Sequence, residues 1–269
     1  MDSAWHKDIP NEDYHHGDYK DYISSTDLKN FIRSPAHYRC YKDEKKESTP
    51  AMVFGSAFHS VALGFPDEVA IIPDINRRTK VGKEEWLDFQ EENAGKYLIK
   101  QSEMKHIEGM QESITHHKHA RKIMESPTAQ FEISGFFEDF GTDLRCKIRP
   151  DILDLEAPVI ADLKTCIDAS YDTFSKTIFN YGYHFQSTWY RYGGQMIEGH
   201  DFDFVFIAVE KTPPYGVNTF PMSGRAITLA EEKIGGVMGL FADCFKKNKW
   251  PCYPQTFNAP DVPGWVKFD

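Results

Sequence analysis

The sequence is poor in the features that mark whole classes of protein. Its five cysteines (Cys40, Cys146, Cys166, Cys244, Cys252) are odd in number and scattered, and none belongs to a Cys-x-x-Cys pair. This argues against a disulfide framework and against a zinc or iron–sulfur site, and predicts a reducing, cytoplasmic setting. No apolar run approaches the roughly 18 residues of a membrane span. The start, "MDSAWHKDIPNEDYHH", has no basic-then-apolar leader pattern, and there is neither an internal repeat nor a low-complexity segment. Positive charge is also short: 31 Lys and Arg stand against 41 Asp and Glu, a net charge of -10. That balance excludes a general nucleic-acid coat, which would be basic, but not an enzyme that holds metal with carboxylates and gathers its basic groups locally.

What is present is ordinary globular material, 41% hydrophobic and 27% charged, enough for the core of one domain. Residues 1–22 read as an extended polar and aromatic arm. "SSTDLKNFIRS" (24–34) opens with capping residues and spaces Leu28, Phe31 and Ile32 as a helix; Pro35 ends or restarts it. "AMVFGSAFHSVALG" (51–64) reads as a buried helix closed by Gly64, residues 67–83 as a basic loop, and roughly 84–124 as helical with breaks near Gly95 and Ser102. The pattern then changes to period two. "QFEISGFFEDF" (130–140) and "TDLRCKIRP" (142–150) flank Gly141 as a β-hairpin, with Leu144, Cys146 and Ile148 on one face and Arg145, Lys147 and Arg149 on the other. "APVIADLKT" (157–165) is more apolar and predicts a central strand. Helices follow at 171–181 and 183–198, strands at 202–210 and 216–222, and an amphipathic helix at 226–248. This order predicts an α/β (α+β) architecture, a central mixed sheet flanked by helices. It is expected to be one domain, divided into an N-terminal part (1–50), a helical part (51–127), a catalytic sheet with its helices (128–225) and a C-terminal helix with its tail (226–269).

The chemistry concentrates in "RPDILDLEAPVIADLKT" (149–165). Side chains alternate along a strand, so Asp162 and Lys164 share a side. A hairpin-like return would set Asp151 beside Asp162. Adjacent carboxylates repel, so they require a cation between them or a proton on one. Mg²⁺, a hard ion that takes oxygen ligands, suits such a pair, and the Leu163 backbone carbonyl between Asp162 and Lys164 is a further candidate ligand. A lysine beside the ion can orient or deprotonate the attacking water, or stabilise charge developing on a phosphate. Metal and ammonium together suit phosphodiester hydrolysis. Alone, however, Asp-x-Lys more often describes a solvated surface hairpin; the strand context and the upstream Asp151 bring the two readings level.

Asp151 followed by "DLK" at 162–164, with "RPD" at 149–151, resembles the PD-(D/E)XK nuclease signature. Two outlying motifs of the RecB-like branch stand in the expected order, "GSAFH" (55–59) and "QSTWY" (186–190). "SSTDLKNFIRSPAHY" (24–38), "RRTKVGKEEW" (77–86) and "PGW" (263–265) extend the resemblance to the nuclease domain of RecE-like exonucleases (exonuclease VIII) over nearly the whole chain. The resemblance implies a restriction-endonuclease-like core. It implies that His59 ligates metal with Asp151 and Asp162, Gly55 one turn earlier allowing a backbone to approach closely. It implies that Gln186 and Tyr190, at i and i+4 on one helix face, position Lys164 or the scissile phosphate. An acidic residue at the place of Glu132 can hold a second metal or its water, although strand parity leaves open which way Glu132 points. Arg77, Arg78, Lys80 and Lys83 are the candidate DNA-backbone contacts, and Arg33 is the candidate for a 5′ phosphate. Asp162 stands where many relatives carry Glu, a departure within the family pattern.

The activity so implied is a Mg²⁺-dependent exonuclease on linear double-stranded DNA, with Mn²⁺ able to substitute. It would degrade the 5′-ended strand and leave a 3′ tail. The terminal cysteine set of the iron–sulfur branch is missing. The implied partners are a RecT-like single-strand annealing protein and further copies of the chain in a tetrameric ring, in phage or prophage recombination in a bacterial host. Rival readings are a structure-specific endonuclease or nickase with the same chemistry, a DNA-binding protein with a relic site, and a metal-dependent enzyme acting on nucleotides.

Overall fold

The local signals of the N-terminal third become helices with identifiable caps. The computed structural model describes residues 3–44, 48–256, 259 and 261. After a short strand β1 (Ala4–His6) and a helical turn α1 (Asn11–His15) comes α2 (Ser25–Arg33). The Ser24 hydroxyl accepts from the Asp27 N–H while the Asp27 carboxylate accepts from the Ser24 N–H, a reciprocal cap. Ser34 caps the next helix and Pro35 opens it, giving α3 (Pro35–Asp43). The "AMVFGSAFH" stretch forms α4 (Pro50–Ala62), with Gly64 beyond its end at φ 90°. Only the second half of α4 is buried; Met52 near its start is exposed.

The region read as a loop and then as helix with breaks near Gly95 and Ser102 also holds strands, one of them between those breaks. β2 (Val69–Ile71) pairs in parallel with β3 (Tyr97–Ile99), and between them runs α5 (Lys80–Glu92). Helices α6 (Gln101–His116) and α7 (Lys118–Met124) follow. Three-residue strands are too short for a period-two signal, so helical propensity on both sides hides them.

The hairpin expected over 130–150 is present but split. β4 (Ala129–Phe131) leaves the line at Glu132, whose φ is 51°, and β5 (Ser134–Glu138) starts afresh. β5 pairs antiparallel with β6 (Arg145–Ile148) and on its other edge with β1, making a three-stranded sheet. β4 joins the main sheet through β7 (Ile152–Asp154), which turns back antiparallel into β8 (Val159–Cys166). After α8 (Tyr171–Asn180) and α9 (Tyr183–Glu198), β9 (Asp203–Glu210) lies parallel to β8, and β10 (Val217–Pro221) completes the order β10-β9-β8-β7-β4. The last helix is α10 (Gly224–Lys247).

β8 is central, as its composition predicted, and its alternation sorts the core. Ile160 packs into a cluster with Phe174, Trp189, Phe206 and Phe241. Ala161 and Leu163 pack into a second cluster with Phe58, Ile107 and Met110 on the opposite face. Asp162 and Lys164 therefore fall on the α8–α9 side, where the sheet end is not filled by apolar side chains.

The N-terminal segment is not an extended arm. It folds onto the polar face of β6, where Tyr19 stacks on Phe136 at 4.1 Å and Tyr14 and Tyr22 complete a third cluster. Lys147, expected on an open polar face, is therefore buried and donates to the Tyr14 and Tyr19 carbonyls. Burial pushes its ammonium down to about 8. At the other end, Trp250 packs on Tyr38 and Phe245, while the Pro-Gly-Trp tail at 263–265 lies outside the described residues. No helix among the described residues is long and apolar enough to cross a membrane.

Candidate active site

Five separate stretches of the chain converge where the β7–β8 hairpin ends. The pairing of Ile152 with Ala161 places Asp151 and Asp162 opposite one another one step further on. Both carboxylates are buried. Oδ2 of Asp151 accepts from the Leu163 N–H at 2.6 Å and lies 3.5 Å from Nδ1 of His59, carried by α4. In an extended strand the N–H and C=O of one residue point the same way, so the Leu163 carbonyl faces this same edge. Oδ1 of Asp162 contacts the Lys164 ammonium, and its Oδ2 accepts from Nε2 of Gln186 at 2.7 Å. Tyr190, one turn along α9 from Gln186, is buried beside it and lines the same cleft as His59. The i, i+4 face of α9 thus fronts the acidic centre.

Glu132 is the residue whose direction parity left open. It lies at the bend between two sheets, not within a strand. A positive φ is uncommon for a residue with a Cβ, and here the Glu132 N–H is pinned to the Asp151 carbonyl at 3.2 Å. The bend turns its carboxylate inward, so that ligand atoms of His59, Glu132 and Asp151 all lie within 4.8 Å of one another. Asp162 is outside that threesome, both of its oxygens being engaged by Lys164 and Gln186.

Electrostatics mark the centre as a place for a cation. Burial and then the Asp151 charge push the Glu132 carboxyl up to about 8. Asp151 is itself held below the usual range, because the adjacent His59 and Lys164 charges and the Leu163 N–H outweigh its burial. His59 is raised, the Asp151 charge overcoming the burial that would lower it. Asp162 is pushed up to about 6, by burial first. Lys164 is raised despite burial because Asp162 and Asp151 face it. Two carboxylates, an imidazole and a carbonyl that would repel or lie idle without a cation form a donor set that fits a divalent ion such as Mg²⁺ or Mn²⁺.

A pH dependence follows. In EDTA the folded chain keeps a proton on Glu132 that the unfolded chain has released above 4.5, so wild-type stability falls as pH rises from about 4.5 to about 8. His59, raised above 6.5, adds loss of the same sign. Glu132→Gln is expected to gain stability over wild type across that window and to hold the gain above it. Thermal melts at stepped pH would show this; a difference that does not vary with pH would mean that Glu132 titrates normally. Mg²⁺ should flatten the wild-type slope, since it favours the ionised carboxylate.

The other predicted residues are elsewhere. Lys80 and Lys83 belong to the first turns of α5 and not to a loop, and Arg77 is stacked over Trp86 at 4.0 Å. Lys80 lies 3.9 Å from Glu84. None of Arg77, Arg78, Lys80 and Lys83 lines the cleft around His59, whose volume is about 790 Å³. Arg33 is exposed at the end of α2 and is not in that cleft either. Among the described residues a Cβ at Gly55 would meet only the Thr165 hydroxyl, at 3.9 Å, and no backbone from another element within 4 Å.

Sequence reading missed the wall of the cleft that the N-terminal segment supplies. Arg149 fastens it: its guanidinium stacks over Tyr14 at 4.0 Å and donates to Asn11, to the Ile9 carbonyl and to Ser134. The one available signal was the aromatic and polar density of residues 5–22.

A mixed sheet with helices on both faces, bearing Asp151 and the Asp-x-Lys of β8 at the end of one hairpin, defines the PD-(D/E)XK nuclease fold. Residues 24–259 match the family described as a PDDEXK-like domain of unknown function (DUF3799), and the chain belongs to that family. A crystal structure of a protein from Eubacterium rectale described as a "Putative exonuclease" is 16% identical, with a TM-score of 0.64 over 96% of this chain and 97% of that one. A phage related exonuclease from Haemophilus somnus 129PT is 11% identical, with a TM-score of 0.38 over 85% of this chain and 96% of that one. No curated protein matches.

Proposed function

We propose that this chain is a divalent-metal-dependent exodeoxyribonuclease that removes the 5′-ended strand of linear double-stranded DNA and leaves a 3′ single-stranded tail. The observation that carries the nuclease reading is the convergence of His59, Glu132 and Asp151 within 4.8 Å, with the Asp162–Lys164 pair alongside. When bound, a divalent cation held by His59, Asp151, Glu132 and the Leu163 carbonyl, with Asp162 at its edge, would polarise a phosphoryl oxygen and lower the pKa of water. The Lys164 ammonium, raised and buried, stands where it can orient the attacking water and offset charge on the phosphorane-like transition state. Gln186 holds Asp162 so that its other oxygen stays on Lys164. His59 and the N-terminal wall narrow access to the cleft. Exonuclease action is supported by the motif resemblance and by the description of the Eubacterium rectale protein as a "Putative exonuclease"; the direction of digestion, the preference for duplex DNA and a role in recombination rest on the motif resemblance. On the motif resemblance alone we assign it a tetrameric ring and a RecT-like annealing partner.

The test is one linear duplex labelled at either the 5′ or the 3′ end, beside a covalently closed circle of the same sequence, in Mg²⁺ or EDTA. Mg²⁺-dependent loss of the linear form with the 5′ label released first and the circle intact is expected. Cutting of the circle would move the protein to the endonucleases; cleavage of no substrate would overturn the nuclease reading.

A further inference from the structure

The turn between α8 and α9 carries two aromatic rings and gathers two lysines at the edge of the acidic centre. Tyr181 is 66% exposed and stacks on Tyr183, with centroids 5.8 Å apart and planes 23° from parallel. The Lys164 ammonium lies 4.9 Å from the Tyr183 ring. From the other side of the sequence, α2 brings the Lys29 ammonium to 6.0 Å from the same ring. Gly182 makes the approach possible: its φ is 67°, and a Cβ there would sit 3.1 Å from Cδ of Lys29. Among the described residues, Lys29 has no carboxylate within ion-pair reach. Burial and the Lys164 charge push its ammonium down, and the more distant Asp162 charge only partly offsets them.

A half-buried ammonium that makes no ion pair among the described residues, beside a catalytic lysine, calls for an anion, and an exposed tyrosine stacked on the neighbouring ring calls for a flat apolar partner. A nucleotide supplies both, a phosphate and a flat base. Resting on the nuclease reading above, we infer that Lys29, Tyr183 and Tyr181 form a subsite for the nucleotide adjoining the scissile phosphate on the strand being cut, Lys29 taking its phosphate and Tyr181 stacking its base. Stacking on a tyrosine is indifferent to sequence and needs an unpaired base, so the subsite selects a locally melted strand without selecting its sequence.

The experiment measures kcat and KM with Mg²⁺ over a salt series, on a linear 5′-phosphorylated duplex and on copies with one abasic residue at each of the terminal positions in turn. Lys29→Gln is expected to raise KM more than it lowers kcat and to flatten the slope of log(kcat/KM) against log[salt] by about 0.7–0.9, the share of one phosphate contact. Lys29→Arg should restore the slope, which a merely structural role would not require. Tyr181→Ala should lower kcat/KM by about 5- to 150-fold, the worth of one stacked base. On the copy lacking the stacked base, wild type and Tyr181→Ala should become equal. Should Lys29→Gln fail to fold, the exposed Tyr181 carries the test by itself. Wild-type cleavage with both variants indistinguishable from wild type would overturn the subsite alone, as would a Tyr181→Ala defect equal at every abasic position; a wild type that cleaves nothing would overturn the nuclease reading and the subsite with it.

Discussion

Lys164→Ala is expected to reduce phosphodiester hydrolysis by about 10²–10⁴-fold while leaving the fold intact. The lysine has one buried carboxylate partner, Asp162, and its ammonium lies 4.9 Å from the Tyr183 ring and 5.8 Å from the Phe206 ring. Losing the ammonium would normally strand a buried charge, a costly event. Asp162 limits that cost by taking up a proton, because its carboxyl already stands at about 6 with the lysine present and rises further without it. The variant should therefore fold but melt below wild type at neutral pH, the gap narrowing as pH falls. Lys164→Met keeps most of the packing volume and should be equally inactive, which separates lost charge from lost packing. Full activity in either variant would sink the assignment of Lys164; so would full activity in Asp162→Ala.

The second large effect is on cation binding. Wild-type protein should be stabilised by Mg²⁺ or Mn²⁺ by about 2.7 kcal/mol at 100 times the dissociation constant, a rise of about 5 to 10 °C for a chain of this size. Asp151→Asn is expected to lose that rise and most of the activity. Asp151 has the central place: it meets His59, receives the Leu163 N–H and raises Glu132. Removing its charge relieves the repulsion that makes a cation welcome, so the effect should exceed that of Glu132→Gln. Melting in EDTA and over a cation titration measures this. An Asp151→Asn protein that keeps the full cation-induced rise would show that the ion is held elsewhere.

The sequence by itself determined the parts of the site that local geometry controls. The period-two alternation of β8 put Asp162 and Lys164 on one side, and the short return from β7 set Asp151 opposite Asp162. The i, i+4 spacing put Gln186 and Tyr190 on one face of α9, where Gln186 does reach Asp162. Such relations survive without knowledge of the rest because pleat, register and helical turn are fixed by the backbone over a few residues. The order of motifs was legible for the same reason, and it pointed to the family.

Only the tertiary structure decided the rest. Glu132 joins the centre because a bend at φ 51° passes the chain from one sheet to another, and nothing in "QFEIS" distinguishes that bend from a continuous strand. The segment from Lys7 to His15 became a wall of the cleft because Arg149 and Lys147 hold its carbonyls and Tyr14 from across the sheet. Lys29 was one charge among many on an amphipathic helix until the packing of α2 against the turn before α9 set it beside Lys164. In each case the partner lies tens to more than a hundred residues away. Which distant segments meet is settled by how the faces of whole elements bury their apolar area, and that is not written in the spacing of neighbouring residues.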